Sequence, residues 1–169
     1  LLYNVDPSWT PSEREDVVSV TSQLHHAMSC IGHPAAMIPL SGDNMPDVMD
    51  PYDPVGHIVF NWCESIPGKP HSEPQVARNL ETMGFIFTGA DSTALDLACD
   101  KRRVKSVLED GGVPTPAWRL YQVPEKGGWN RFPAIVKAAN EHCSEGIPRE
   151  SVVMTEQELL DRIASILDT

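Results

Sequence analysis

No stretch of this sequence approaches the roughly 20 consecutive apolar residues that a membrane-spanning helix needs. The opening Leu-Leu-Tyr-Asn-Val-Asp lacks the basic region and long apolar region of a secretory signal. Positive charge is scarce. Lys and Arg number 13 against 24 Asp and Glu, for a net charge of −11, which argues against the basic face that binds nucleic acid. Four cysteines stand at 30, 63, 99 and 143 without a Cys-x-x-Cys pair. The chain is too long and too apolar to need disulfide staples, so they read as reduced thiols of a cytoplasmic protein. No two of the six histidines lie one helical turn apart, and no metal site is expected from them. A Walker loop, Gly-x-Gly-x-x-Gly and a nucleophile elbow are all missing. What is there is ordinary: 169 residues, 41% hydrophobic and 22% charged. That composition excludes a disordered acidic tail and a rod, and the length suits one domain or two small ones.

The first half alternates. Residues 1–5 read as a buried strand. Ser12 and Glu15 form a capping box, and Val17, Val20, Leu24, Ala27, Met28 and Ile31 recur at helical spacing until Gly32. Ala35–Leu40 is a second strand, and residues 41–56, with Gly, Asn, Asp and Pro, are loop. His57–Trp62 is a third strand whose run Ile58-Val59-Phe60 predicts cover on both faces, as in a parallel sheet. After the turn-rich stretch 63–74, a helix carries Val76, Ala77, Leu80 and Met83 to Gly84, and Phe85-Ile86-Phe87 is a fourth strand. This order predicts an open, mainly parallel, Rossmann-like α/β sheet.

The second half predicts two short helices, around Ala94–Ala98 and Val104–Leu108, ending at Gly111-Gly112. Pro114-Thr115-Pro116 then enforces extended chain. Ala117–Val123, Ala134–Lys137 and Val152–Met154 read as strands of a small sheet, and Thr155 and Glu158 cap an amphipathic helix through Leu167. The divisions are 1–90, a helical connection over 91–112, and 113–169.

Three segments carry chemistry. They are Thr88-Gly89-Ala90-Asp91 leading to Cys99-Asp100-Lys101, then Gly112-Val113-Pro114-Thr115-Pro116, then Phe132-Pro133-Ala134-Ile135-Val136-Lys137 with Asn140-Glu141-His142-Cys143-Ser144-Glu145-Gly146-Ile147. In this order and spacing they resemble the ATP-grasp ligases, and within them the D-alanine–D-alanine ligase family. The resemblance runs from about residue 9 to the C-terminus. It implies a pre-ATP-grasp α/β domain followed by the small α+β first subdomain of an ATP-grasp fold. It also implies ATP and amino-acid substrates, peptidoglycan-precursor chemistry and a homodimer through the first domain. It further implies that the chain stops inside the second domain, with the Mg²⁺ ligands beyond it, and that this length alone does not catalyse.

The resemblance assigns Lys101 and Lys137 to the ATP phosphates, converging at the seam between the two lobes. Read from the residues alone, Lys101 is solvated helix surface and Lys137 a snorkelling strand-end residue, although a strand-end cation is costly to bury unpaired. Glu141, Ser144 and Gly146 resemble the flap over the triphosphate, where a hydroxyl and backbone amides donate to phosphate oxygens; on composition alone they are a surface loop. Glu13, in Ser12-Glu13-Arg14-Glu15, resembles the glutamate that approaches the substrate ammonium group, and equally suits a first-turn acid favoured by the helix dipole. Glu64 follows a strand C-terminal end, where open sheets bind ligands, and Glu73 begins the next helix; they resemble the family's Asn-x-x-Glu and Glu-x-Gln, which makes both candidate substrate contacts. The chain departs from the family in three places. It has Tyr3-Asn4-Val5-Asp6 where the family has a Gly-Gly turn, no His-Gly-x-x-Gly-Glu-Asp-Gly loop, and Ala138 where a proline follows the lysine. Which amino acids are joined is therefore open. The competing reading is a non-catalytic module that binds a small molecule or dimerises through an open α/β fold.

Overall fold

The structure is a computed structural model and describes residues 1–125, 127–140 and 148–168. It divides into two compact units, Leu1–Asp96 and Leu97–Thr169.

In the first unit the order is β1 (Leu2–Asn4), α1 (Pro11–Cys30), β2 (Ile38–Leu40), α2 (Met45–Met49), β3 (Ile58–Val59), β4 (Asn61–Trp62), α3 (Glu73–Thr82) and β5 (Ile86–Phe87). Every pairing between these strands is parallel, in the orders β2–β1–β4 and β3–β5. Phe60 alone separates β3 from β4, and its carbonyl accepts from Leu2 N at 3.0 Å. The predicted third strand is thus present in two pieces. Its second piece pairs with β1, its first with β5, in the register Ile58↔Ile86. Leu2, Leu40, Met45, Ile66, Val76 and Leu80 are all but sealed from solvent. Each buried side chain of this size contributes about 1.5–3 kcal/mol relative to exposure.

Several expectations change here. The cap of α1 is Thr10, not Ser12. Thr10 N and Oγ1 donate to Glu13 Oε2 at 2.7 and 2.8 Å, and Glu13 N donates back to Thr10 Oγ1 at 3.3 Å. Pro11 explains the shift, because its fixed φ and missing N–H suit the first helical position. The apolar stripe is only partly buried. Val17, Thr21, Leu24 and Met28 face inward, whereas Val20, Ala27 and Ile31 are exposed. At 100° per residue Val20 and Ala27 lie roughly a quarter turn from the centre of the packed face. Residues 41–56 are not all loop: Met45 and Met49, four apart, anchor the short helix α2 in the core. Nor is β3–β5 covered on both faces. Val59 is buried, but Ile58 and Ile86 are 71% and 67% exposed. A continuous apolar run does not distinguish one covered face from two.

The second unit carries the end of α4 (Ser92–Ala98), then α5 (Lys101–Asp110), β6 (Ala134–Ile135), a 3₁₀ turn (Arg149–Ser151), β7 (Val152–Val153) and α6 (Glu156–Leu167). β6 and β7 pair antiparallel, Ala134↔Val153 and Ile135↔Val152. Val153, Leu159 and Ile163 form the buried centre, with Tyr121, Trp129, Phe132, Ala134 and Val136 packed on it. The expected strand over Ala117–Val123 is absent; that segment is held by side chains instead. Lys105 Nζ donates to Thr115 Oγ1 and to the Pro116 carbonyl, and Trp118 Nε1 donates to Glu109 at 2.7 Å. Only half of the second capping box forms. Thr155 Oγ1 accepts from Glu158 N, but the Glu158 carboxylate takes Met154 N at 2.7 Å rather than the cap's own amide.

Candidate functional site

In the first unit, polar groups gather where β1 and β4 end. Asn4, the last residue of β1, is buried; its Oδ1 accepts from Glu64 N at 3.2 Å and its Nδ2 donates to Ser65 Oγ at 3.4 Å. Two residues on, Asp6 Oδ2 accepts from Gly68 N at 2.6 Å while Oδ1 accepts from Ser8 N and Oγ. The bonds from Ser8 Oγ, Gly68 N and Ser8 N, in that order of weight, hold the Asp6 carboxyl below the usual aspartate range. The loop between β4 and α3 is thereby tied to the end of β1. Its other end is tied by buried Ser72, whose Oγ accepts from Ile66 N at 2.7 Å and donates to the Lys69 carbonyl. Lys69 in turn pairs with Asp43 at 2.6 Å. Cys63, at the start of this loop, is sealed in. Burial, and secondarily the charge of Glu64, push its thiol up to about 12, so it is no nucleophile near neutral pH.

This loop and the first residue of α3 carry two of the predicted site positions. Glu64 is exposed beside Asn4. Glu73 opens α3, and its Oε2 is enclosed without a hydrogen-bond partner among the described residues. Glu13 is not joined to them: its carboxylate closes the α1 cap, and the Thr10 amide and hydroxyl hold it below the usual glutamate range. Asn4, Asp6 and Ser72 were not read from the sequence as site residues. The available signal was Asn and Asp at the C-terminal end of a strand, just before a Pro-Ser turn.

In the second unit the two lysines meet one short piece of chain. Lys101, first residue of α5, donates its backbone N to the Ala139 carbonyl and its Nζ to the Ala138 carbonyl, both at 3.0 Å. Ala138 directly follows Lys137, which is exposed and has no hydrogen bond or ion pair among the described residues. Asp100 caps α5. Partial desolvation raises its pKa, but the bonds from Arg103 N and from the Arg102 side chain and N outweigh it, and the net shift is downward. Lys105, also unread from the sequence, pins Thr115 of the Gly-x-Pro-Thr-Pro motif to α5. Glu141, Ser144 and Gly146 lie outside the described residues.

No three His, Cys, Asp or Glu side chains gather as a metal site among the described residues. No described helix is long and apolar enough to cross a membrane.

The chain has recognisable relatives among known proteins. It is similar to D-alanine–D-alanine ligases. The Moorella thermoacetica enzyme of that name is 28% identical over an alignment of 167 positions that covers 92% of this chain and 51% of the enzyme. The enzyme from Methylacidiphilum infernorum is 27% identical over 138 residues, 81% of this chain and 43% of the other. Protein y4sG of Sinorhizobium fredii, whose name states no activity, is 31% identical over 124 residues, 73% of this chain and 36% of its own length. The chain thus spans between about a third and a half of these relatives. No protein-family profile and no solved structure matches it.

Proposed function

We propose that the chain is the N-terminal part of an ATP-dependent carboxylate–amine ligase of the D-alanine–D-alanine ligase type. In this reading the first unit is the pre-ATP-grasp domain and the second is the first ATP-grasp subdomain. The observation that carries it is the approach of Lys101 to the residues just after Lys137, thirty-six positions along the chain. Lysines brought to one short stretch of folded chain are suited to offset polyphosphate charge. Mg-ATP, when bound, supplies the phosphoryl group that turns a carboxylate into an acyl phosphate open to attack by an amine. Lys101 and Lys137 bind and orient the phosphates, and Glu141, Ser144 and Gly146 are assigned to the nucleotide with them.

The acidic loop of the first unit takes the amino acids. Glu73, at the start of α3, is assigned to a substrate ammonium group, a donor of opposite charge. Glu64 adds a second carboxylate. Glu13 contributes negative charge from the helix start while its oxygens stay in the cap. Acting alone, the chain binds nucleotide without forming a peptide bond, and it works in the cytoplasm.

The test is a thermal-shift titration with Mg-ATP. The expected result is a saturable rise in melting temperature that Lys137→Ala removes. No rise with the wild-type chain overturns the assignment, as does ATP-dependent dipeptide formation by the chain for its inactivity. A second reading, a module that dimerises through the first domain, is favoured by one feature. Ile58 and Ile86 stand exposed in register beside an open apolar hollow of about 620 Å³ lined by Met28, Ile31, Tyr52 and Phe60. It predicts a melting temperature that rises with protein concentration and ignores nucleotide.

A further inference from the structure

The last turn of α1 places an imidazole and a thiol side by side, away from the groups discussed so far. Cys30 Sγ lies 3.5 Å from His26 Nε2, four residues apart on one exposed helical face. We propose that His26 and Cys30 form a surface site for a borderline-soft divalent cation of the zinc class, with water completing its coordination.

The donor spacing is the first argument. Metal–nitrogen bonds of about 2.0–2.1 Å and metal–sulfur bonds of about 2.3 Å, at a tetrahedral angle, set the two donors about 3.6 Å apart. The side chains already stand at that separation. The field is the second argument. The C-terminal end of a helix carries partial negative charge. The last turn of α1 has no basic side chain to offset it, and the chain carries a net charge of −11. A cation is attracted to that end of the helix. The donor set is the third: one imidazole and one thiolate suit zinc-class ions and not magnesium or calcium. The neighbouring His25 is engaged elsewhere, its Nε2 bonded to the Ala35 carbonyl at 2.8 Å. No third His, Cys, Asp or Glu joins the pair among the described residues, which makes the site a two-ligand one, open to solvent. The sequence conceals it because a His-His or Cys-Cys search passes over a mixed pair.

The test is titration of the fully reduced chain with Cd²⁺, followed by the ultraviolet thiolate-to-cadmium absorption, with Zn²⁺ as competitor. One equivalent of Cd²⁺ is expected to produce the band, and Zn²⁺ to remove it. Cys30→Ser abolishes the band and His26→Ala weakens binding at least tenfold, while a Cys99→Ser/Cys143→Ser variant binds as the wild type does. Both altered side chains of the pair are exposed, so folding is preserved, and an unchanged melting curve without metal checks it. A band that survives Cys30→Ser, or His26→Ala binding at wild-type affinity, overturns the proposal.

Discussion

Ser72→Ala removes one hydroxyl from the loop that carries Glu64 and leads into Glu73. In the native chain that hydroxyl makes two bonds at once, accepting from Ile66 N at 2.7 Å and donating to the Lys69 carbonyl. Ile66 is 1% exposed, so water does not take over as partner for its amide. Losing the bond to the Lys69 carbonyl costs about 1 kcal/mol, and orphaning the buried Ile66 N–H costs about 1–3 kcal/mol. The expected loss is therefore about 2–4 kcal/mol from the first unit. With a urea slope of about 2 kcal/mol/M, the unfolding midpoint falls by about 1–2 M with the slope unchanged. The readout is specific to that unit in a Trp118→Phe/Trp129→Phe background, because the two remaining tryptophans, Trp9 and Trp62, both lie within Leu1–Asp96. Ser72→Thr, which keeps the hydroxyl, loses less. A midpoint shift for Ser72→Ala below about 0.25 M refutes the claim that this hydroxyl anchors the loop, since it corresponds to about 0.5 kcal/mol on the same slope.

Asp6 has a folded pKa below its ordinary 3.8, so its contribution is fully present above that value and is lost as pH falls through the lower, folded value. Ser8→Ala removes the largest cause of the shift. Its stability deficit against the wild type, measured by urea unfolding, is present at neutral pH and closes well below the aspartate range; a deficit independent of pH refutes the account. Cys63, with its thiol pushed up to about 12, resists labelling by a disulfide reagent at mildly alkaline pH until the chain unfolds, whereas exposed Cys30 reacts at once; mass mapping of labelled peptides decides. Ile163 is 3% exposed at the centre of the second unit's core. Ile163→Ala costs about 2–5 kcal/mol through lost transfer energy and the cavity left behind, read as a lower melting point of the Trp118 and Trp129 signal.

Local chemistry in the sequence carried far. The alternation of strands and helices over the first ninety residues rests on apolar periods of two and 3.6 and on Gly and Pro punctuation, which act over a few residues and are visible without coordinates. Helix α3, ended before Gly84, and the β6–β7–α6 module were legible for that reason. The caps were less so: Thr10-x-x-Glu13 and Ser12-x-x-Glu15 both fit the box, and a proline one residue away selected between them. What needed the tertiary structure was every question of which face meets which neighbour. Ile58 and Val59 are adjacent and equally apolar, yet one is open and the other buried, because burial depends on what packs from elsewhere in the chain. Asn4 with Glu64, Lys101 with Ala138, and Lys105 with Thr115 are joined by hydrogen bonds across loops, and hydrogen-bond geometry between distant residues has no signature in linear spacing. Residue types and periods are local properties, whereas contact is a property of the folded chain.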